Sequence, residues 1–313
     1  MKTKNNTKRE NMIAVVAIIL FIALCIWFVP FIIPIPAEGI WGINETMIVN
    51  TTVNITNAAP EVRHVVLQDP INLEAYGNTT ITCNATVFDW DNDTLVVNAT
   101  IYIYGVTGPE SQIDGNNKYH DVNCTRISAQ NQEMNFTCNV SMIYYADNSS
   151  FWECNVTAKD DDNATHANVS SYSTVNPLVA LYVPGMIDYG ELMVNEISDN
   201  RTANLTNAGN RDINITVEGY AQSRGDGLAM NCTYGTIAVQ YEKYNVTAQT
   251  DYNTEMKSLT TNPVSMQGLI VDQRTSETQE SLNVTYWRLQ VPPFAGGLCT
   301  GKIMFIAADS QTN

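Results

Sequence analysis

Histidine is almost missing from this chain. His64, His120 and His166 are the only three in 313 residues, and no two stand in an HExxH spacing. There is no Gly-x-Ser-x-Gly, and no cysteine is paired in sequence with a histidine that could activate it. The motifs of zinc hydrolysis and of nucleophilic acyl transfer are therefore lacking, and no catalytic residue and no resident cofactor are expected. The cysteines never form CxxC, which removes the common zinc and thiol-redox spacings. Basic residues are scarce, 16 Lys/Arg against 32 Asp/Glu. Four of the sixteen (Lys2, Lys4, Lys8, Arg9) crowd the first nine positions, opposed there only by Glu10. The remainder carries 12 basic and 31 acidic residues, a net −19. Such a surface repels phosphate backbones and anionic headgroups, so nucleic acid is not expected as a partner. Helical periodicity and a second long apolar run are also missing.

One apolar run is present. Met12–Val29 continues past Pro30 as Phe31-Ile32-Ile33, and about twenty-two residues at 1.5 Å each cover roughly 30 Å of hydrocarbon. With the basic residues held inside, this predicts a cytoplasmic segment 1–11 and a transmembrane signal-anchor 12–33. Trp27 and Trp41 fall near the outer interface. The expected localisation is the cell membrane, single-pass, with the N-terminus cytoplasmic and the C-terminus extracellular. Cleavage after Ala37 is the competing reading, with Ile35 a poor fit at −3. A pilin leader is excluded, because no glycine precedes Gly39 and Pro30, Pro34 and Pro36 end the helix.

Beyond that run, Asn-x-Ser/Thr recurs twenty times between Asn44 and Asn283, far more often than shuffling the same composition gives. The tripeptide accepts N-linked glycans on the far side of a membrane. Expected acceptors are Asn44, Asn50, Asn54, Asn78, Asn84, Asn92, Asn98, Asn135, Asn139, Asn148, Asn155, Asn163, Asn168, Asn200, Asn204, Asn214, Asn245 and Asn283. Asn123 and Asn231 are set aside because cysteine occupies their middle position, and Asn5 because it precedes the apolar run. In several of these tripeptides, at Asn54, Asn135, Asn155, Asn204, Asn214, Asn245 and Asn283, the middle residue is apolar. On a strand, Asn and Thr would then share the solvent face while the middle side chain points inward.

Stretches rich in Val, Ile, Thr and Tyr, separated by Gly/Asn/Asp turns, predict an all-β chain of two tandem β-sandwiches following one N-terminal transmembrane helix. The expected organisation is a polar stalk 34–59, a first sandwich 60–177 and a second 178–313. Cys25 lies inside the apolar run. The other six cysteines read as three disulfides in an oxidising compartment. The four cysteines of the first domain allow three connectivities; Cys124 and Cys138 are symmetric about the polar turn centred on Asn131, as a cross-strand bridge in a hairpin would be. Cys232 and Cys299 are alone in the second domain and are expected to pair with each other.

Residues 79–86, with Cys83, resemble the B strand of immunoglobulin-like and PKD-like surface modules. Asp147 followed by Trp152-Glu153-Cys154 resembles the approach to strand F, with Trp152 where such domains often place tyrosine. The resemblance implies a Cys83–Cys154 bridge. It also places tyrosines Tyr102 and Tyr104 of strand C in the core, where no tryptophan is present. Gly185–Gly190, the Asn207–Asn210 turn and Tyr286–Pro293 resemble a β-sandwich family of bacterial and archaeal surface proteins. Together with the sequons, this implies an archaeal-type cell-surface glycoprotein with a structural or adhesive role.

The partners so implied are the membrane, through the N-terminal helix, and other surface proteins or glycans, with a homo-oligomer as a further option. The alternatives are a filament or matrix subunit assembled by strand complementation, and an extracytoplasmic cation- or glycan-binding protein. In an immunoglobulin-like topology the B–C and F–G loops share one end. That brings Asp89, Asp91 and Asp93 toward Asp160, Asp161 and Asp162, a candidate calcium site of hard oxygen ligands. The Gly and distal Glu of an EF-hand are lacking, since Thr94 and Thr100 stand there. Two further motifs are read as plain loops: Arg224-Gly225-Asp226, and Gly296–Lys302. The latter misses a phosphate loop because Ile303 replaces the metal-binding hydroxyl residue.

Overall fold

The computed structural model describes residues 48–54, 56–106, 114–248 and 250–311. Residues 48–54 are exposed and carry no regular secondary structure. Ile55–Asn313 is one compact unit, and its buried residues form two hydrophobic cores, one from Val62 to Val175 and one from Tyr189 to Ala295.

The first core is enclosed by β1 (Glu61–Leu67), β2 (Asn78–Phe88), β3 (Val96–Ile103), β4 (Lys118–Gln130), β5 (Glu133–Ile143), β6 (Trp152–Lys159) and β7 (Thr165–Val169). Their order is β1-β2-β5-β4-β3-β6-β7. The thirteen-residue β4 joins the two layers. Its first half pairs with β3 and its second half with β5. The layers are thus β1-β2-β5-β4 and β3-β6-β7, the A-B-E-D and C-F-G arrangement of an immunoglobulin-like sandwich. Period-two burial explains each strand. Ile81, Cys83, Ala85 and Val87 of β2 and Met134, Phe136, Cys138, Val140 and Met142 of β5 all point inward.

The curled sheet closes on itself. The Val62 N–H on β1 donates to Nδ1 of His166 on β7 at 3.0 Å, and the Asn168 amide donates to the Val62 carbonyl. These side chains cover an edge that would otherwise offer unpaired backbone groups.

Trp152 is fully buried on β6, and its Nε1–H donates to the Asp147 carbonyl five residues upstream at 2.9 Å. This is the tyrosine corner of such folds built with an indole. The inward tyrosines expected on β3 are not found. Tyr102 is half-buried and Tyr104 is 64 % exposed, while Val97, Ala99 and Ile101 take the inward positions. The phase of the strand decides this, since Tyr102 and Tyr104 alternate against Ile101. Tyr119 on β4 and Trp152 supply the aromatic filling instead.

The second core lies between two five-stranded sheets. One has the order β12-β11-β17-β10-β15 and the other β14-β13-β16-β9-β8. The strands are β8 (Leu181–Tyr182), β9 (Arg201–Asn207), β10 (Ile213–Tyr220), β11 (Leu228–Tyr234), β12 (Thr236–Ala238), β13 (Glu242–Asn245), β14 (Lys257–Ser258), β15 (Val264–Val271), β16 (Leu282–Leu289) and β17 (Gly296–Asp309). One 3-10 turn, Val239–Tyr241, joins β12 to β13. Gly296–Lys302, read from sequence as a turn, is the first half of the fourteen-residue β17. It pairs with β11 so that Cys232 faces Cys299.

Asn207–Asn210, read from sequence as a turn, is the buried hub between the sandwiches. Asn210 is fully buried; its Oδ1 accepts from Leu178 N–H at 2.6 Å and its Nδ2 donates to the carbonyls of Ala146 and Asn176. Gly209 admits no side chain, because a Cβ there would collide with the Leu178 carbonyl. Around this hub Gln273 donates to the Tyr145 carbonyl, Arg274 reaches the Tyr144 hydroxyl and lies over the Tyr145 ring, and Tyr76 meets Glu280.

The expectation of a single-pass membrane protein requires correction. Among the described residues no helix is long and apolar enough to cross a membrane. Segment 12–33, on which that expectation rested, lies outside the described residues, as do segment 1–11, Cys25 and Asn44. The N-terminal helix and the topology drawn from it are accordingly withdrawn. The all-β expectation stands for the described residues.

Candidate functional site

All three expected disulfides are present: Cys83–Cys154, Cys124–Cys138 and Cys232–Cys299. The first ties β2 in one layer to β6 in the other. The other two join residues directly opposite each other on neighbouring strands.

The six aspartates expected at one end of the first sandwich divide into three groups. Asp160 opens the β6–β7 turn, and its Oδ1 accepts the Ala164 N–H at 2.7 Å. Its other oxygen accepts the Asn57 amide at 3.3 Å, so Asp160 is occupied in shaping the loop. Asp93, Asp161 and Asp162 converge, each offering a carboxylate oxygen within 4.8 Å of the others. Asp93 has its carboxyl raised by burial and by the charges of Asp161 and Asp91.

Asp89 and Asp91 form the third group. Asp89 follows β2 directly, and its N–H donates to the Gln132 carbonyl of the β4–β5 turn at 2.9 Å. That anchor draws the side chain to 0 % exposure, where neither carboxylate oxygen meets a donor. Burial, reinforced by the Asp91 carboxylate, pushes Asp89 up to about 6. Asp91 is lowered as the acceptor in that contact, and it also receives the Ala58 N–H at 2.7 Å. Among the described residues no lysine or arginine forms an ion pair with any of these aspartates.

Sequence reasoning missed Asn57. Its Nδ2 serves Asp160, and its Oδ1 is buried without a partner. Nothing local marks it, because its role depends on a residue 103 positions away. The loops themselves are legible. Asn92 and Asn163 both adopt positive φ (60° and 70°), a conformation asparagine tolerates better than most residues.

The other motifs resolve into structure. The Asp226 carboxylate accepts N–H groups from Ala221, Gln222, Ser223 and Leu228, which holds its pKa down. Arg224 pairs with the buried Glu218. The Arg-Gly-Asp charges are thus committed to their own loop and to the end of β10. Nδ1 of His166 is taken by Val62, His64 is exposed and His120 is half-buried. A cleft of about 800 Å³ runs along the start of β17, with Met186, Leu192, Val194, Leu298, Asp188 and Glu191 among the residues that line it.

Every sequon asparagine among the described residues reaches solvent, ten exposed and nine half-buried. The expected strand phase holds at Asn135, Asn155 and Asn214, where Phe136, Val156 and Ile215 are buried between half-buried neighbours. It inverts at Asn283, because Thr285 is fully buried. The Thr285 hydroxyl donates to the Ala203 carbonyl and accepts the Trp287 indole N–H. At Asn204 both Leu205 and Thr206 are buried. At Asn54 the middle residue, Ile55, lies outside the described residues.

No protein-family profile matches this chain, and no curated protein does. Among solved structures it is similar to a chain of a chaperone–tip adhesin complex of CFA/I fimbriae biogenesis, at 8 % identity over 78 % of this chain and 79 % of that one, with a TM-score of 0.27. It is also similar to a BspA chain, at 10 % identity over 78 % and 92 %, with a TM-score of 0.20. The secreted serine protease VesC from Vibrio cholerae matches at 8 % identity over 76 % of this chain and 50 % of that one, with a TM-score of 0.18.

Proposed function

We propose that this chain is an N-glycosylated structural or adhesive module that works in an oxidising compartment outside the cytoplasm, without catalytic activity of its own. The observation that carries this reading is how its asparagines are sorted. Among the described residues the three buried asparagines, Asn116, Asn207 and Asn210, all lie outside sequons, whereas none of the nineteen described sequon asparagines is buried. Burial thus divides asparagines used for packing from those left accessible to glycan transfer. Three disulfides fit the same compartment, since such bridges persist where thiols are not kept reduced. The archaeal cell surface implied by the sequence resemblance belongs to the proposal.

With glycans on the strand faces, partners would reach mainly loop ends and the junction. Glycopeptide mass spectrometry of the protein isolated from its native cells tests the reading. Modification is expected first at the exposed Asn78, Asn84, Asn139, Asn200 and Asn204. A chain unmodified at all of them would overturn it.

A further inference from the structure

We propose that the acidic end of the first sandwich is a Ca²⁺ site centred on the converging carboxylates of Asp93, Asp161 and Asp162, with Asp89, Asp91 and the amide oxygen of Asn57 supplied from the adjoining segments. The inference stands apart from glycosylation and from any adhesive role. Its starting point is a set of buried oxygens with nothing to bind. Both Asp89 oxygens and Asn57 Oδ1 are buried and lack donors, although buried polar atoms nearly always find a partner. An isolated buried carboxylate is expensive to keep charged. Here it stands beside the Asp91 carboxylate and within the field of Asp93, both of which add repulsion. The outer half has the same defect, with three carboxylates inside 4.8 Å and no basic residue pairing with them among those described.

A cation resolves both halves, and the donor set selects its class. Every available ligand is a hard oxygen, with neither histidine nor thiolate among them, which excludes the preferences of zinc and copper. Ca²⁺ accepts six to eight oxygens at about 2.3–2.6 Å in irregular geometry, whereas Mg²⁺ demands a tight octahedron and keeps its water. Ligands spread over two loops and the segment before β1 suit the larger ion. The site has a mechanical consequence. Asp91 already holds the Ala58 N–H, and Asp160, beside Asp161, holds the Asn57 amide. Ca²⁺ would bind the entry to β1 and both loops into one rigid end.

The test uses the full-length chain, stripped with a chelator, desalted and held in moderate salt to screen non-specific attraction. Ca²⁺ is titrated while the melting temperature is followed. Tb³⁺ luminescence is sensitised through Trp90, which lies between Asp89 and Asp91 and is 67 % exposed. The melting temperature is expected to rise by several degrees, saturating in the ~0.1–1 mM range of extracellular Ca²⁺ modules, with Tb³⁺ emission that Ca²⁺ displaces. Asp89→Asn should raise the melting temperature of the chelated protein and abolish its Ca²⁺ response, because it removes the buried charge. The exposed double variant Asp161→Asn/Asp162→Asn, which leaves the core untouched, should lose the response, with a chelated melting temperature at or above the parent's because repulsion on Asp93 is relieved. The proposal is overturned by an unmoved melting temperature and no Tb³⁺ emission up to ~10 mM, tenfold above that range. A full response in the double variant, or equal stabilisation by Mg²⁺, overturns it as well.

Discussion

Glu242 shows how one buried group can set a pH dependence for the whole second sandwich. It is 2 % exposed on β13, and the hydroxyl of buried Tyr189 donates to its Oε1 at 2.7 Å. Burial pushes its carboxyl from an ordinary 4.5 up to about 7, against the lowering influence of the Tyr189 bond. The folded state therefore holds this proton more tightly than the unfolded state. The associated stability is fully present below pH 4.5 and is lost as pH rises through 7. A rise from 4.5 to about 7 corresponds to roughly 3 kcal/mol, taken as an order of magnitude. Glu242→Gln keeps an acceptor for Tyr189 and removes the charge. The variant should match the parent near pH 4.5 and exceed it by up to about 3 kcal/mol above pH 7, measured by urea denaturation at both values. Little of this was legible beforehand, because Glu242 opens a short polar-looking strand, Glu-Lys-Tyr-Asn, whose inward phase only packing fixes. Trp152 was legible, since its place two residues before Cys154 marks a corner whatever aromatic fills it.

At the scale of elements, the two longest disulfide loops should matter most. Replacing both Cys83 and Cys154 by alanine frees a separation of 71 residues, worth roughly 4 kcal/mol by loop-closure entropy. The hairpin bridge Cys124–Cys138 spans only 14, worth about 3 kcal/mol. Chemical denaturation of the two double variants should reproduce this order, and a costlier hairpin bridge would count against it. Strands with clean alternation, such as β2, β5 and β6, could be read from sequence because one face is core and the other solvent. β17 could not, since Gly296, Gly297 and Gly301 are the residues of turns. In the fold Gly301 is needed because a Cβ there would collide with the Ala229 carbonyl on the neighbouring strand, a close approach that only glycine allows. The same sheets bear on strand complementation. Three of their four margins, β8, β12 and β14, have two or three residues each and are poor templates for an added strand, which leaves the eight-residue β15 as the edge such a strand would use.

At the scale of the molecule, the junction makes the two sandwiches a single body. Asn210 bonds to groups on either side of the boundary, Ala146 and Asn176 before it and Leu178 within it. Asn210→Ala leaves the buried Ala146 carbonyl and the part-buried Asn176 carbonyl and Leu178 N–H without this partner, at about 1–3 kcal/mol for a fully buried group and less for the other two. The variant should therefore lose about 2 kcal/mol, and limited proteolysis should open near residues 177–184, where the parent resists. Local chemistry disguised this hub. Asn-Ala-Gly-Asn has the composition of a hairpin tip, and the same turn geometry serves whether water or another domain covers it.

The register of the first sandwich has a consequence for how the protein matures. Cys138 stands opposite Cys124 on one side and opposite Cys83 on the other, while Cys83 finds its true partner across the core on β6. A nascent chain that has paired β2, β5 and β4 before β6 docks therefore offers Cys138 two thiols at bonding distance. Cys83–Cys138 is then the trapped product that correct strand pairing itself encourages. Its resolution requires thiol exchange, which makes correct oxidation depend on β6 arriving or on an isomerase that holds the choice open until it does.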